Sequence, residues 1–478
     1  MKRKDNPADT YYEAMLARDF RFDGKFFVGV RTTGIYCRPI CPAKPKRENV
    51  EFFDSRLEAE RAGYRPCMRC RPESAPQSPA WIGKSAVVQR AVKILHSQET
   101  LDFHEDAFAA RFGVTARHLR RLFIEEVGKT PKQLAFENRL NLARTLVSET
   151  SLSITEIAFA SGFSSIRRFN DAFKTRFEKA PSEIRRKPRE NSDPSSSLAG
   201  VVIHLSYRPP FDFEGLLRTY ERHAVGSLEW IEDGVFNRVI ATNGKIGTVA
   251  VSNVPEKASL RVKIDFSDLS AIPAILNRVR NAFDLNSDPV WVANRLETDP
   301  SIRKLLRRYP GIRLPSGWDP FEVAIATILG QLVSVERGRA LVADLIEIAG
   351  LETDRTVFGK RIKLFPTPQQ IIEADLTSLK TTGTRKQTLV AFCQALLDRK
   401  LSLEPTQDVA LFMKNVLTIR GIGPWSAQYM ALKALRDTDA FPSSDLLLAR
   451  ALEKYSQKTI EAMSPWRGYV AALFWRTP

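Results

Sequence analysis

The stretch Leu417-Thr-Ile-Arg-Gly-Ile-Gly-Pro-Trp-Ser-Ala427 decides the fold of the carboxy-terminal half of the chain. Gly421 and Gly423 permit a tight turn, and apolar residues continue at helical spacing on either side. The pattern therefore predicts a helix, a tight turn and a second helix whose first backbone N–H groups face outward. Such a helix amino terminus binds phosphate without reading a base sequence.

Charge and composition agree with a polyanionic partner. The chain has 478 residues, and its 72 lysines and arginines exceed its 55 aspartates and glutamates by 17. A basic excess of this kind is typical of proteins that bind nucleic acid. Hydrophobic residues make up 43% of the chain and charged residues 27%. This is a globular composition, and it excludes collagen-like and wholly disordered chains.

The length predicts about three domains at roughly 150 residues each. Two stretches rich in proline and serine, 72–79 and 187–197, mark breaks between them. We therefore predict a small cysteine-containing domain over 1–75, an all-helical domain over 83–187, a linker over 188–200 and a last domain over 201–478. The last domain divides into a β-rich part, 201–285, and a helical part, 286–478. The predicted fold class is multidomain α+β, mostly α-helical.

The chain shows no signal for a membrane or for secretion. No stretch approaches 18 consecutive apolar residues, and the amino-terminal segment is basic but has no apolar core. We therefore expect no membrane partner and a cytoplasmic location, in the bacterial cytosol and nucleoid.

Four of the five cysteines form two closely spaced pairs, Cys37-x3-Cys41 and Cys67-x2-Cys70. In the cytosol such spacings are more typical of metal or redox chemistry than of structural disulfides. Each pair can bring two thiolates to one ion, and four thiolates complete a tetrahedral zinc site. The sequence therefore predicts one Zn²⁺ held by Cys37, Cys41, Cys67 and Cys70. On spacing alone, a purely structural zinc knuckle is the alternative.

Two segments surround these cysteines, Val30-Arg-Thr-Thr-Gly-Ile-Tyr-Cys-Arg-Pro-Ile-Cys41 and Gly63-Tyr-Arg-Pro-Cys-Met-Arg-Cys-Arg-Pro72. Over residues 5–73 the chain resembles the methyl-acceptor domain of the Ada alkylation-response proteins. The resemblance implies that zinc-bound Cys37 irreversibly accepts a methyl group from a methylphosphotriester of the DNA backbone. Methylation would remove the negative charge of the Cys37 thiolate and so strengthen binding to DNA. Damage to DNA would thereby switch on DNA binding by the protein. Candidate phosphate contacts, each equally able to be a solvated charge, are Arg31, Arg38, Arg65, Arg69 and Arg71.

Two segments of the middle domain each predict helix, glycine turn, helix: Phe108-Ala-Ala-Arg-Phe-Gly-Val114 and Ile157-Ala-Phe-Ala-Ser-Gly-Phe163. The segment Gly162-Phe-Ser-Ser-x3-Phe169-x3-Phe173-Lys174 leads to Pro181-x3-Arg185. With this signature, residues 85–187 resemble the double helix-turn-helix domain of AraC-type regulators, although Lys179 stands near a usual glycine. Phe169 and Phe173 share one helix face and are expected to be core. The resemblance implies recognition helices in adjacent major grooves. Their candidate DNA contacts are Arg117 and Arg121, with Thr115 and His118, on the first helix, and Arg167, Arg168, Asn170 and Lys174 on the second.

An aspartate, Asp445, follows Gly423 by 22 residues. Further segments of interest are Leu205-Ser-Tyr-Arg-Pro-Pro-Phe-Asp212, Gly311-Ile-Arg-Leu-Pro315, Ile328-Leu-Gly-Gln-Leu-Val-Ser334, Phe365-Pro-Thr-Pro-Gln369 and Pro465-Trp-Arg467. Over 203–476 the chain resembles the AlkA-type 3-methyladenine glycosylases II, which belong to the helix-hairpin-helix superfamily. Family members often have aspartate where Ser444 stands.

This resemblance implies a role for each motif residue. Asp445 is the catalytic carboxylate, Leu332 fills the gap left by a flipped nucleotide, and the hairpin glycines hold DNA phosphate. Trp425, Tyr429 and Trp475 line the base pocket, where a cationic alkylated base is attracted to aromatic faces. Taken alone, the aromatic residues and Leu332 would be core, and Asp445 would be a helix cap.

Some family features are missing. Lyase-active members of the superfamily carry a nucleophilic lysine where Trp425 stands, so we expect a monofunctional enzyme. Cys393 is the only cysteine in the carboxy-terminal half, so we expect no iron–sulfur cluster. No Pro-Cys-His-Arg motif is present, so O6-alkylguanine repair is not expected.

The principal hypothesis is a DNA repair enzyme that excises alkylated bases such as 3-methyladenine, joined to a methyl acceptor that switches on a transcriptional activator. Its expected partners are double-stranded DNA, both damaged DNA and a specific promoter, and RNA polymerase, and the protein is expected to be a monomer. One alternative is a methylation-activated regulator whose glycosylase-like domain only binds DNA. Another is a zinc protein without a reactive cysteine.

Overall fold

The computed structural model describes residues 7–16, 22, 26–54, 56–67, 70, 72, 85–97, 103–150, 152–185, 200–226, 228–242, 244–297, 299–357, 360–404, 409–455 and 457–477. The chain forms two compact units, one of Met1–His96 with Phe103–Ala135 and the other of Ser97–Asp102 with Phe136–Pro478. The predicted linker, 188–200, lies outside the described residues except for Gly200, so the predicted domain bounds stay predictions. None of the described helices is long and apolar enough to cross a membrane.

The first unit combines a small sheet with helices. Its strands are β1 (Phe27–Val30), β2 (Ile35–Cys37), β3 (Val50–Phe53) and β4 (Arg65–Pro66), and its helices are α1 (Pro7–Leu16), α2 (Arg56–Arg61), α3 (Ser85–Ser97), α4 (Glu105–Ala110), α5 (Ala116–Val127) and the first turn of α6 (Pro131–Glu149). The strand order is β3-β1-β2-β4, and β2 and β4 are parallel.

The pairing of β2 with β4 brings the two cysteine pairs together. Tyr36 pairs with Pro66, so the next residues along the two strands are Cys37 and Cys67. The backbone N–H of Cys67 donates to the carbonyl of Tyr36 at 3.0 Å. The parallel pairing of these two short strands therefore brings together two cysteine pairs that are separated by 25 residues in the sequence.

The second unit contains the second helix-turn-helix and the whole carboxy-terminal part. Its strands are β5 (Val201–Ser206), β6 (Glu229–Glu232), β7 (Val235–Thr242), β8 (Lys245–Val254), β9 (Ser259–Asp265), β10 (Glu352–Val357) and β11 (Lys360–Lys363). After the rest of α6, its helices are α7 (Ile154–Ala160), α8 (Ile166–Phe177), α9 (Pro181–Ile184), α10 (Phe213–His223), α11 (Ile272–Ala282), α12 (Pro289–Leu296), α13 (Pro300–Arg308), α14 (Pro320–Leu329), α15 (Val335–Ala349), α16 (Pro368–Glu373), α17 (Gly383–Leu397), α18 (Val409–Val416), α19 (Pro424–Lys433), α20 (Leu446–Leu452), α21 (Gln457–Ala462) and α22 (Arg467–Arg476).

Strands β5 to β9 form one antiparallel sheet in the order β5-β9-β8-β7-β6. Strand β9 alternates buried Leu260, Val262 and Ile264 with exposed charged residues, which leaves one face for a core. Rings from helix and sheet meet there: Tyr220 of α10 lies 5.1 Å from Phe236 of β7, between ring centroids. The predicted α+β class, with its antiparallel sheet and helical remainder, is confirmed.

The structure adds two details that the sequence did not predict. The β-rich part also contains α10 and α11, because their apolar residues recur at helical spacing and pack in one core with the sheet. The helical part contains the hairpin of β10 and β11. Among the hairpin residues whose burial is described, Thr353 and Ile362 are buried. The charged residues around them hide the alternation that would predict strands.

The two helix-turn-helix segments end their second helices in the same way but with different residues. Helix α5 ends at Gly128 with φ 76°, and α8 ends at Glu178 with φ 58°. Both residues are in the left-handed region, which a residue with a Cβ enters at a cost of roughly 1–2 kcal/mol. The turn near Lys179 therefore forms without the usual glycine, at the expense of stability.

We expect Glu178→Gly to stabilise the second helix-turn-helix by about 1 kcal/mol, because the strain at this left-handed cap would be removed. Hydrogen exchange of the amides of α8 and α9 in the full chain would slow correspondingly. Lys179→Gly is the matched control, since Lys179 has no positive φ and gains nothing from glycine. Equal protection in both variants would contradict the assignment of strain to Glu178.

Candidate functional site

The four predicted zinc ligands lie together in the first unit. The sulfur atoms of Cys37, Cys41, Cys67 and Cys70 are all within 4.8 Å of one another, and Cys37 and Cys41 are buried. In a tetrahedral site with Zn–S bonds of about 2.3 Å the sulfurs are roughly 3.8 Å apart. Four soft sulfur ligands at this spacing fit Zn²⁺, so the donor set agrees with the metal that the sequence predicts.

The protonation of the thiols supports the same interpretation. A hydrogen bond from Cys37, with a second from Cys70, lowers the pKa of Cys41 to about 2. The hydrogen bond with Cys41 raises the pKa of Cys37, and that with Cys37 raises the pKa of Cys70. One thiolate thus accepts hydrogen bonds from its protonated neighbours. Ionising the others requires a cation that offsets their repulsion, so metal binding must release protons.

The arginines near this site differ in accessibility. Arg38 is buried, with 2% of its surface exposed, and its side chain donates to the carbonyl of Cys70 at 3.3 Å. It therefore supports the cysteine loop instead of offering a free cation to DNA. Arg31 forms an ion pair with Glu51 at 3.0 Å, and Arg65 is exposed. Arg69 and Arg71 lie outside the described residues.

The two recognition helices expose the predicted cations. On α5, whose first turn is capped by Thr115, Arg117 and Arg121 are exposed, and Arg121 contacts the ring of His118 at 3.2 Å. On α8, Phe169 and Phe173 are completely buried, as the helical period predicts. The remaining candidates lie on other faces: Arg167, Arg168 and Lys174 are exposed and Asn170 is half-buried.

The glycine turn of the second unit lies between α18 and α19, as predicted. Gly421 has φ +91°, and a Cβ on it would lie 2.1 Å from the hydroxyl oxygen of Thr388. That hydroxyl donates to the carbonyl of Arg420 at 2.9 Å, so the turn is packed directly on α17. Gly423 is different: it caps α19 with φ −98°, and nothing lies within 4 Å of the position that a Cβ on it would occupy.

We expect Gly421→Ala to destabilise the second unit by about 3 kcal/mol, because it adds both a left-handed strain and an overlap with Thr388. Gly423→Ala, the matched control, should change the stability by less than about 1 kcal/mol. Thermal unfolding of the two variants followed by circular dichroism makes the comparison. Similar losses in both variants would contradict the packing of the turn on α17.

The predicted wedge residue lies beside this turn. Leu332 is fully exposed and has φ 55°, an unusual combination for a leucine. The side-chain amide of Gln331 donates to the carbonyl of Gly421 at 3.0 Å and to the hydroxyl of Ser426 at 2.8 Å. The segment carrying Leu332 is therefore fixed to the glycine turn. The interpretation of Leu332 as a core residue is wrong for this structure.

Asp445 is the amino-terminal cap of α20 and is half-buried. Its Oδ1 atom accepts from the backbone N–H groups of Leu447 and Leu448, at 3.1 and 3.3 Å, and from the indole N–H of Trp475 at 3.0 Å. The capping role that the sequence leaves open is therefore present. It uses one oxygen of the carboxylate, and among the described residues no hydrogen bond reaches Oδ2.

Three aromatic residues stand beside this carboxylate. Trp425 and Tyr429, one turn apart on α19, are stacked with ring centroids 5.3 Å apart, and Trp475 lies 5.9 Å from Tyr429. All three are half-buried. Burial, helped by the charge of Asp445, raises the pKa of Tyr429 to about 12, so its hydroxyl stays protonated. The structure therefore brings the predicted pocket residues and Asp445 together.

Sequence reasoning missed a fifth member of this group, Lys433. It lies one turn beyond Tyr429 on α19 and is 8% exposed. Its Nζ atom donates to the carbonyl of Pro315 at 3.1 Å and lies 4.8 Å from the centroid of the Trp475 ring. Burial lowers the pKa of Lys433 to about 7. The spacing Trp425-x3-Tyr429-x3-Lys433 was the available signal, since it places the three side chains on one helix face.

Comparison with family models divides the chain into familiar parts. The metal binding domain of Ada matches residues 10–73, a helix-turn-helix domain matches residues 108–187, and the AlkA N-terminal domain matches residues 202–319. These matches confirm the family resemblances that the sequence motifs indicate.

Comparison with whole proteins finds a relative with the same arrangement. A probable bifunctional transcriptional activator/DNA repair enzyme AlkA of Mycobacterium tuberculosis is 34% identical, covering 98% of this chain and 95% of the relative. DNA-3-methyladenine glycosylase 2 of Escherichia coli is 32% identical over 57% of this chain and 96% of its own length. The bifunctional activator/repair enzyme Ada of Escherichia coli is 40% identical over 26% of this chain and 34% of its own length. A solved 3-methyladenine DNA-glycosylase of Archaeoglobus fulgidus, 18% identical, matches 57% of this chain and 96% of its own with a TM-score of 0.49.

Proposed function

The chain belongs to the family of bifunctional transcriptional activator/DNA repair enzymes of the AlkA type, and on this premise we propose a specific chemistry for each of its two sites. The second unit hydrolyses the N-glycosidic bond of alkylated bases such as 3-methyladenine in double-stranded DNA. The cysteine site accepts methyl groups from methylphosphotriesters of the DNA backbone and thereby switches on binding to a promoter.

The glycosylase proposal rests on one observation: among the described residues, the hydrogen bonds to the carboxylate of Asp445 all reach Oδ1 and none reaches Oδ2. Its Oδ1 atom is held by two backbone N–H groups and the indole of Trp475, while the side chain stands beside the aromatic group. A fixed, ionised carboxylate can stabilise the positive charge that develops on the sugar as the base departs.

The proposed reaction divides its tasks among few residues. Leu332, exposed and fixed beside the glycine turn, takes the space of the extruded nucleotide. The rings of Trp425, Tyr429 and Trp475 bind the base, and an alkylated cationic base gains from their electron-rich faces. The bond between C1′ and the base nitrogen breaks, and its electron pair leaves with the base. Water then adds to C1′, and Asp445 orients it and takes up its proton.

No lysine stands at the position of Trp425, and we propose that the enzyme stops at the abasic site. Lys433 is on the same helix, but it lies two turns beyond Trp425, and its Nζ atom is held by the carbonyl of Pro315 and the ring of Trp475. Strand cleavage by a Schiff-base intermediate is therefore not part of the proposed reaction.

For the methyl acceptor, Cys37 supplies the nucleophilic sulfur and the four cysteines hold one zinc ion. Bound Zn²⁺ would keep the thiolates deprotonated at neutral pH and the sulfur of Cys37 electron-rich. The sulfur attacks the methyl carbon of the phosphotriester, a carbon–sulfur bond forms as the carbon–oxygen bond breaks, and a phosphodiester anion remains. The site thereby loses one negative charge, which strengthens its attraction to DNA.

The remaining parts of the proposal follow from the exposed cations. Arg117 and Arg121 on α5, with Arg167, Arg168 and Lys174 on α8, contact DNA, chiefly its phosphates. The glycine turn at Gly421 and Gly423 holds a further phosphate without reading sequence. The protein acts as a cytoplasmic monomer that recruits RNA polymerase at the promoter and needs no iron–sulfur cluster.

One experiment tests the glycosylase part directly. Duplex DNA with a single 3-methyladenine is incubated with the full chain, and products are separated with and without alkali. We expect free base and intact strands, which break only after alkali reveals the abasic sites. Release of no base would favour the alternative, a regulator with an inactive glycosylase-like domain, and alkali-independent cleavage would contradict a monofunctional reaction.

A further inference from the structure

Lys433 is a buried cation that no described carboxylate contacts. Among the described residues it forms no ion pair, and its Nζ atom contacts only the carbonyl of Pro315 and the ring of Trp475. A charged side chain in such a place is costly unless it is paired. The position of the amine at the wall of the base pocket indicates a function beyond packing.

The amine occupies one face of the Trp475 ring, at 4.8 Å from its centroid. A base can therefore contact this ring only by its other face or its edge. A positive charge on one side of an aromatic ring weakens the attraction of a second cation to the same ring, because the two charges repel. A neutral base experiences almost none of this repulsion.

We propose that Lys433 is a specificity-determining residue of the base pocket, whose charge behind Trp475 sets how strongly the pocket prefers a cationic alkylated base over a neutral one. The inference rests on the proposed glycosylase function. The amine of Lys433 lies against the ring whose indole N–H donates to Asp445, and among the described residues it forms no hydrogen bond or ion pair with that carboxylate.

The environment of Lys433 limits this repulsion. Burial lowers its pKa to about 7, although the nearby charge of Asp445 acts in the opposite direction, so near neutral pH a large fraction of the protein carries an uncharged amine there. An amine that loses its charge near neutral pH repels a bound cationic base less than a permanently charged side chain does. A permanently charged side chain at this position would restore the full repulsion.

The test compares two variants of the full chain, Lys433→Arg with a permanent charge and Lys433→Met with none. Base release is measured from duplexes that each contain one 7-methylguanine, which is cationic while it is joined to the sugar, or one hypoxanthine, which is neutral. We expect the ratio of the two kcat/KM values to be about tenfold higher for Lys433→Met than for Lys433→Arg, with the unaltered protein in between.

A merely structural role would move both substrates together. Equal ratios in the two variants would therefore overturn the proposal, even if both were slow. Lys433→Gln is a third, uncharged variant, should methionine prevent folding as judged by circular dichroism, and its ratio must also exceed that of arginine. If the unaltered protein releases neither base, the proposed glycosylase function has failed, which is a different result from an unchanged ratio.

Discussion

Asp445→Asn should reduce the release of 3-methyladenine by roughly three orders of magnitude while leaving the fold intact. Asparagine is a good amino-terminal cap, so its side-chain oxygen can still accept from Leu447, Leu448 and Trp475 as Oδ1 does now. What disappears is the negative charge on the second oxygen. Base release is measured under single-turnover conditions, and folding is followed by thermal unfolding.

The chain offers a matched control in Asp299. It caps α13 and accepts from the N–H groups of Ser301 and Ile302, just as Asp445 caps α20. Asp299→Asn makes the same change at a cap of the same geometry and should leave base release within about twofold. If both variants lost activity alike, or if Asp445→Asn kept it, the carboxylate would be a cap and nothing more.

Cys37→Ala should abolish transfer of methyl groups to the protein, because it removes the proposed nucleophile. It also removes one of four zinc ligands, so the zinc content and the stability of the first unit should fall with it. Base release by the second unit should persist. The measurement is mass spectrometry after incubation with methylated duplex DNA. Because Cys37 and Cys41 lie on one tryptic peptide, the peptides are fragmented to assign the methyl group, and the unaltered protein should carry a single one on Cys37.

Cys393→Ala is the control for this experiment. Cys393 is buried in α17, and its burial raises the pKa of the thiol to about 12, so it is a poor nucleophile. Its variant should accept methyl groups normally. Methylation that survives in Cys37→Ala, or that fragmentation assigns to Cys41, Cys67 or Cys70 in the unaltered protein, would contradict the role of Cys37.

The spacing of the cysteines and of the glycines in the sequence predicted much of the zinc site and of the glycine turn. Two cysteine pairs are enough to propose a four-sulfur site, since each pair needs only local geometry. The turn at Gly421 and Gly423 was recognisable because left-handed backbone favours glycine, and the structure places φ +91° at Gly421. The distance from this turn to Asp445 then identified the carboxylate through a family resemblance.

Other features depend on packing that no local pattern encodes. The buried side chain of Arg38 donates to the carbonyl of Cys70, 32 positions further along the chain. The exposed, left-handed Leu332 follows Gln331, which is anchored on the glycine turn at Gly421. Lys433 resembles, in the sequence, an ordinary charged residue at the end of a helix. Only the fold shows that its amine lies against Trp475, because the two residues are 42 positions apart in the chain.

The most direct test of the central claim, that one chain carries two alkylation-repair chemistries, uses DNA with radiolabelled methyl groups. The label is followed into free base and into protein after incubation with the zinc-loaded full chain. We expect label in both fractions, with base release continuing over many turnovers and protein labelling ending at one methyl group per chain. Label in only one of the two fractions would contradict the claim, and the missing fraction would identify the site that lacks the proposed chemistry.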